Sequence, residues 1–171
     1  CALFFQWLAT PEPRTIYAPE RHRPIISAIY DNLQCPVKFG TSVAASGHGE
    51  LAVKISSGAA CAFIRADQLG ADTAQLIRHA KREIIERSHV EAVYVELPLA
   101  DPATPHVADE LETFGFGFLG IAPHFSIRGD VLRMAYLVEP LEREPIKTVD
   151  AFTGKLFDYA LAEQVRVRAA L

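Results

Sequence analysis

Glu96 closes the β-branched run Val90–Leu97. A carboxylate at a strand end can act as a general base when it faces a cleft. The same residue more often sits in solvent or pairs with a nearby cation. Asp72 and Thr73 follow Gly70-Ala71, where a turn gives way to a helical pattern, and either is a natural helix N-cap. The six histidines, at positions 22, 48, 79, 89, 106 and 124, include no two at i, i+4 helix spacing beside a carboxylate, so no metal site is expected. His22 lies in Arg21-His22-Arg23, which reads as a solvated lead-in to a helix, able to meet an anion or an acidic partner. Cys1, Cys35 and Cys61 form no CxxC and no Cys/His cluster, as expected of thiols in a reducing compartment. There is no Gly-x-Ser-x-Gly elbow and no Walker-type loop, and Ser56-Ser57 suits a turn.

The elements that must position these groups follow from periodicity. Cys1–Leu8 reads as an opening strand and Thr10–Pro13 as a loop. Pro24 suits a first helical turn, and Ile26, Ile29, Tyr30 and Leu33 make one helix face that Pro36 stops. Leu51–Ser56 and Ala59–Ala66 flank Ser57-Gly58 as a hairpin, with Leu51, Val53 and Ile55 on its buried face. Ile77, Ala80, Ile84 and Ile85 define a helix to about Ser88, followed by the strand that ends near Glu96. Thr104 as cap and Pro105 at the first position open a short helix with Val107, Ala108, Leu111 and Phe114 inward. Gly115 stops it. Two strands, near Gly117–Ile127 and Val131–Val138, turn through Arg128-Gly129-Asp130, and Thr148 or Asp150 caps a last helix bearing Phe152, Leu156, Tyr159 and Val165. The order is α/β (α+β), a mixed sheet with helices on its faces.

The chain has 171 residues, half of them hydrophobic, which suits one domain with a real core. A domain over 1–147 and a C-terminal helix over 148–171, packed on that domain or on a partner, are expected. A net charge of -4 argues against a nucleic-acid surface. No apolar run reaches the roughly 18 residues of a membrane span, and no signal peptide opens the chain, so a cytoplasmic location is expected. The start at Cys1, without an initiator Met, reads as a piece of a longer protein.

The run Val107–Val138, and within it Glu112–Phe116, resembles the C-terminal half of the GCN5-related N-acetyltransferase (GNAT) fold. There a helix ends in a Gly-Phe turn before the last two strands. The resemblance covers roughly Gly49–Val138 and implies a mixed, mostly antiparallel twisted sheet with helices on both faces. It also implies acetyl-CoA or CoA as cofactor, held by Ile64 and Arg65 on a strand and by Gly70, Ala71, Asp72 and Thr73 in the turn after it. Helix N-terminal amides and the helix dipole favour the pyrophosphate there. The family pattern, Gln/Arg-x-x-Gly-x-Gly/Ala, aligns with Asp67-Gln68-Leu69-Gly70-Ala71-Asp72. Gly70 matches, whereas Asp67 and Asp72 place carboxylates where an anion should bind. The family's helix tyrosine, which protonates the leaving thiolate, falls on Leu111, which cannot donate a proton. Tyr136 on the last strand is its weak replacement, and Glu96 a weak candidate base.

A second resemblance rests on Tyr17–Arg23 and Glu96–Pro102. They look like a GNAT-like domain that accompanies a GHKL-type ATP-binding domain of the anti-sigma-factor kinase kind. Three expectations follow. One is a GNAT-like sensing or regulatory module, with a degenerate acetyl-CoA motif, in a larger bacterial signalling protein. Another is a CoA-dependent N-acyltransferase with an altered pyrophosphate turn. The third is an interaction domain that dimerises through its last helix. The implied partners are a fused ATP-binding kinase domain, another protein, or a second copy.

Overall fold

A computed structural model describes residues 10–141 and 146–171; the expected opening strand Cys1–Leu8 lies outside them. The elements are β1 (Arg14–Ile16), α1 (Arg23–Asn32), β2 (Val37–Phe39), β3 (Glu50–Ser56), β4 (Cys61–Gln68), α2 (Thr73–Ser88), β5 (Ala92–Pro98), α3 (Thr104–Thr113), β6 (Gly117–Ser126), β7 (Gly129–Leu137) and α4 (Ala151–Ala169). A five-stranded sheet runs in the order β3-β4-β5-β7-β6, and β1 and β2 form a separate parallel pair. In the large sheet β4 and β5 are parallel, and the other pairs are antiparallel. The fold is therefore the expected mixed, mostly antiparallel α/β arrangement, with the order hairpin, helix, strand, helix, two strands.

Strand alternation sorts the sheet into two faces. Ala62, Ile64, Val93, Val95, Leu97, Leu132 and Met134 point to one face and join α1, α2 and α3 residues such as Ile26, Ile77 and Leu111 in one buried core. Phe63, Arg65, Tyr94, Glu96 and Arg133 point to the other. The last helix, α4, crosses the edge strand β6. A Cβ on Gly117, which alternates with core-facing Phe118, would meet Gln164 of α4, and Gln164 Nε2 donates to the Ala135 carbonyl at 3.2 Å.

Local signals account for the helix ends. The amides of Gly115 and Phe116 bond back to the carbonyls of Glu112 and Leu111 (3.0 and 3.1 Å), and Gly115 has φ +85°. This is the paired bonding of a Schellman stop, which requires a left-handed residue and so selects glycine. The Asp150 side chain caps α4 by accepting the Thr153 amide at 2.7 Å. Two expectations are corrected. Thr104 does not cap α3: it is the first helical residue, and its hydroxyl donates to the Pro98 carbonyl at 2.6 Å. Val53 and Ile55, expected inside, are 48% and 44% exposed, because β3 is the sheet's edge.

Candidate functional site

The pairing of β4 with β5 ends at Arg65 and Glu96, although β4 continues to Gln68 and β5 to Pro98. The strands part there and leave a cleft of about 510 Å³, lined in part by Arg65, Asp67, Gln68, Glu96, Phe125 and Arg128. Glu96 is buried and accepts a hydrogen bond from the Arg133 guanidinium, its register partner on β7. Arg133 in turn lies 4.7 Å from the Phe125 ring centroid. Among the described residues its Nε is a buried donor without an acceptor. Arg65 donates two hydrogen bonds to Asp67 (2.6 and 3.2 Å), and this bond holds the Asp67 carboxyl below the usual carboxylate range. Asp67 is therefore matched within its own strand. Ile64 points away from the cleft into the core.

The turn before α2 is closed by the chain itself. The Gly70 amide donates to Thr73 Oγ1 at 2.7 Å, the Ala71 amide to the Gly47 carbonyl at 3.0 Å, and the Thr73 amide to the Gly70 carbonyl at 3.1 Å. Asp72 occupies the N-cap position but caps nothing with its side chain. Its carboxylate accepts the Gly49 amide at 2.7 Å and bonds His48 Nδ1 at 3.0 Å. His48 first and the Gly49 amide next hold the Asp72 carboxyl below its ordinary range. The cover is tight: a Cβ on Gly70 would lie 2.2 Å from the His48 carbonyl carbon and 2.3 Å from the Gly49 nitrogen. The glycine aligned with the family motif thus serves a close backbone crossing.

The two candidate proton carriers do not converge. Tyr136 is the register partner of Val93 and so faces the side opposite Glu96 and Arg133. The Lys81 ammonium sits 4.0 Å from its ring centroid. Leu111 is fully buried.

His22 overturns the expectation of a solvated lead-in, for it is fully buried. Its Nδ1 is 2.9 Å from the Tyr159 hydroxyl and its Nε2 is 2.8 Å from Glu112 Oε1. Arg166 then donates to Glu112 Oε2 (2.7 Å) and Glu163 Oε2 (2.6 Å). His22, Glu112 and Glu163 could in principle ligate a cation. The Arg166 guanidinium already bridges the two carboxylates, so the cluster reads as a tether between α4 and the rest of the fold. Periodicity could not reveal it, because its members come from three distant segments.

No family model and no curated protein matches the chain. Among solved structures, a mutant of the spermidine N-acetyltransferase SpeG from Vibrio cholerae is similar at 18% identity and a TM-score of 0.42, covering 52% of this chain and 57% of that one. The microcin C7 self-immunity acetyltransferase MccE, in complex with acetyl-CoA and AMP, is similar at 15% identity and a TM-score of 0.41, covering 52% of this chain and 54% of that one. The chain spans about half the length of each of these two proteins.

Proposed function

We propose that this chain is a GNAT-like domain whose acetyl-CoA turn is closed by its own backbone. On this reading it works as a sensing or regulatory module of a larger bacterial signalling protein. One observation carries the reading: the Gly70 and Ala71 amides, which the family would aim at pyrophosphate, are consumed inside the protein beneath Gly47–Gly49. A phosphate would have to displace that segment and also approach the Asp72 carboxylate. The buried Leu111 at the acid position supports the same conclusion. The placement within a signalling protein rests on the second resemblance, whose two stretches touch: the Tyr17 amide donates to the Leu99 carbonyl at 2.8 Å. Calorimetric titration with acetyl-CoA tests the closed site. No saturable binding tighter than about 100 μM is expected; tighter binding at the α2 N-terminus overturns it.

The cleft favours a second reading, an acyl-CoA-dependent N-acyltransferase that uses the parted strands rather than the turn. Glu96 is its base and Arg133 Nε a donor without a partner among the described residues. Thiol release from acetyl-CoA in the presence of primary amines, lost in Glu96→Gln, is its signature. Dimerisation through α4 has less support, since Phe152, Leu156 and Tyr159 pack against the domain's own core.

A further inference from the structure

The cations on α2 are treated unequally. Arg82 pairs with Glu86 at 3.1 Å and Arg87 with Glu83 at 3.5 Å, each one helical turn apart. Arg78 and Lys81, just N-terminal to both pairs, pair with no carboxylate among the described residues. They are nevertheless held in place. The Arg78 guanidinium stacks 4.9 Å from the Phe114 centroid. The Lys81 ammonium lies 4.0 Å from the Tyr136 centroid and donates to the Phe114 carbonyl at 2.8 Å. Burial first and the Arg78 charge second push the Lys81 ammonium below the usual lysine range. Two like charges are therefore held side by side, neither ion-paired among the described residues, on a protein of net charge -4.

These side chains line a groove of about 690 Å³ together with Gln75, His79, Ile85, Tyr136 and the Arg82–Glu86 pair, whose charges offset each other. Pockets of roughly 300–1,000 Å³ hold small molecules of nucleotide size. A fork-shaped guanidinium beside a compact ammonium suits a group with several anionic oxygens, and the aromatic stacking spares the entropy of ordering the two side chains. We propose that this groove binds the phosphate groups of a small phosphorylated ligand, with Arg78 and Lys81 as the pair that holds the anion. The site lies along the side of α2, not at the N-terminal turn that Gly47–Gly49 closes.

Titration of the intact chain with inorganic pyrophosphate, and separately with ADP, tests this by calorimetry at low salt. Saturable binding is expected, weakened at least about tenfold by Arg78→Gln and by Lys81→Gln and retained in Arg65→Gln, which alters the cleft on the other face. Thermal melts showing unchanged folding accompany each variant, and Arg78→Lys, which keeps the charge but loses the fork and the stacking, should bind between wild type and Arg78→Gln. Equal affinity for the two probes assigns the site to the anion alone, and tighter ADP assigns it to a nucleotide; both outcomes support the groove. No binding, binding indifferent to both substitutions, or binding lost in Arg65→Gln overturns it. Arg78→Gln and Lys81→Gln also separate this site from any acetyl-CoA binding at the α2 turn, which those two leave unchanged.

Discussion

The Asp72 carboxylate accepts the Gly49 amide at 2.7 Å and so straps the segment before β3 across the start of α2. A residue at an N-cap position thus bonds a neighbouring strand's lead-in instead of its own helix. Replacing it should loosen the strap. Asp72→Gly is expected to strengthen acetyl-CoA binding, since it frees the cover and removes a negative charge. Calorimetry on the variant reads this directly, and unchanged affinity would show that the strap does not block the turn.

Gly70→Ala tests the crossing from the other side. Its Cβ would sit within 2.3 Å of two backbone atoms, so residues 47–49 must move. Overpacking of this kind costs about 1–3 kcal/mol. Urea denaturation should show a lower midpoint with little change in slope, and a wild-type midpoint would mean that residues 47–49 yield to the added methyl without cost.

Leu111→Tyr introduces the residue type that the GNAT resemblance implies at this helix position. Leu111 is fully buried, so the phenol should enter the core without a partner. A loss of about 2–4 kcal/mol is expected rather than a gain of acetyl transfer. Thermal unfolding alongside a thiol-release assay separates the two outcomes.

The tether through Glu112 predicts a pH dependence. Burial raises the Glu112 carboxyl, but hydrogen bonds from His22 and Arg166 prevail, so it lies below its ordinary value of 4.5. A carboxyl depressed by folding contributes stability that is full above its unfolded value and lost as pH falls through the folded one. Stability should therefore decline below about pH 4.5. In Glu112→Gln that part of the decline should vanish, with about 2–4 kcal/mol lost at neutral pH. Equal acid slopes in the two proteins would exclude the tether as the cause.

His22→Ala should destabilise the protein by about 2–4 kcal/mol through the cavity and the loss of a partner for Glu112. Amide hydrogen exchange should then quicken in α4 before the central strands. Uniform quickening would mean that His22 supports the whole core rather than the seating of the last helix.

Much of the architecture was written in local pattern. Gly115-Phe116 set the end of α3, Asp150 the start of α4, and apolar spacing the helices and the central hairpin, because caps, stops and periodicity are encoded within a few residues. The absence of a proton donor at Leu111 was equally legible, as was the acidic character of the turn. Three-dimensional packing decided the rest. It paired Asp67 with Arg65 and turned Asp72 toward Gly49, so neither carboxylate simply awaits an anion. It put Glu96 and Tyr136 on opposite faces, a consequence of register between β5 and β7. It buried His22 from an apparently basic surface run against Glu112 and Tyr159, 90 and 137 positions away. A sequence states which groups can accept, donate or carry charge; which of them meet depends on strand register and helix docking, and those are set by the burial of distant apolar surface.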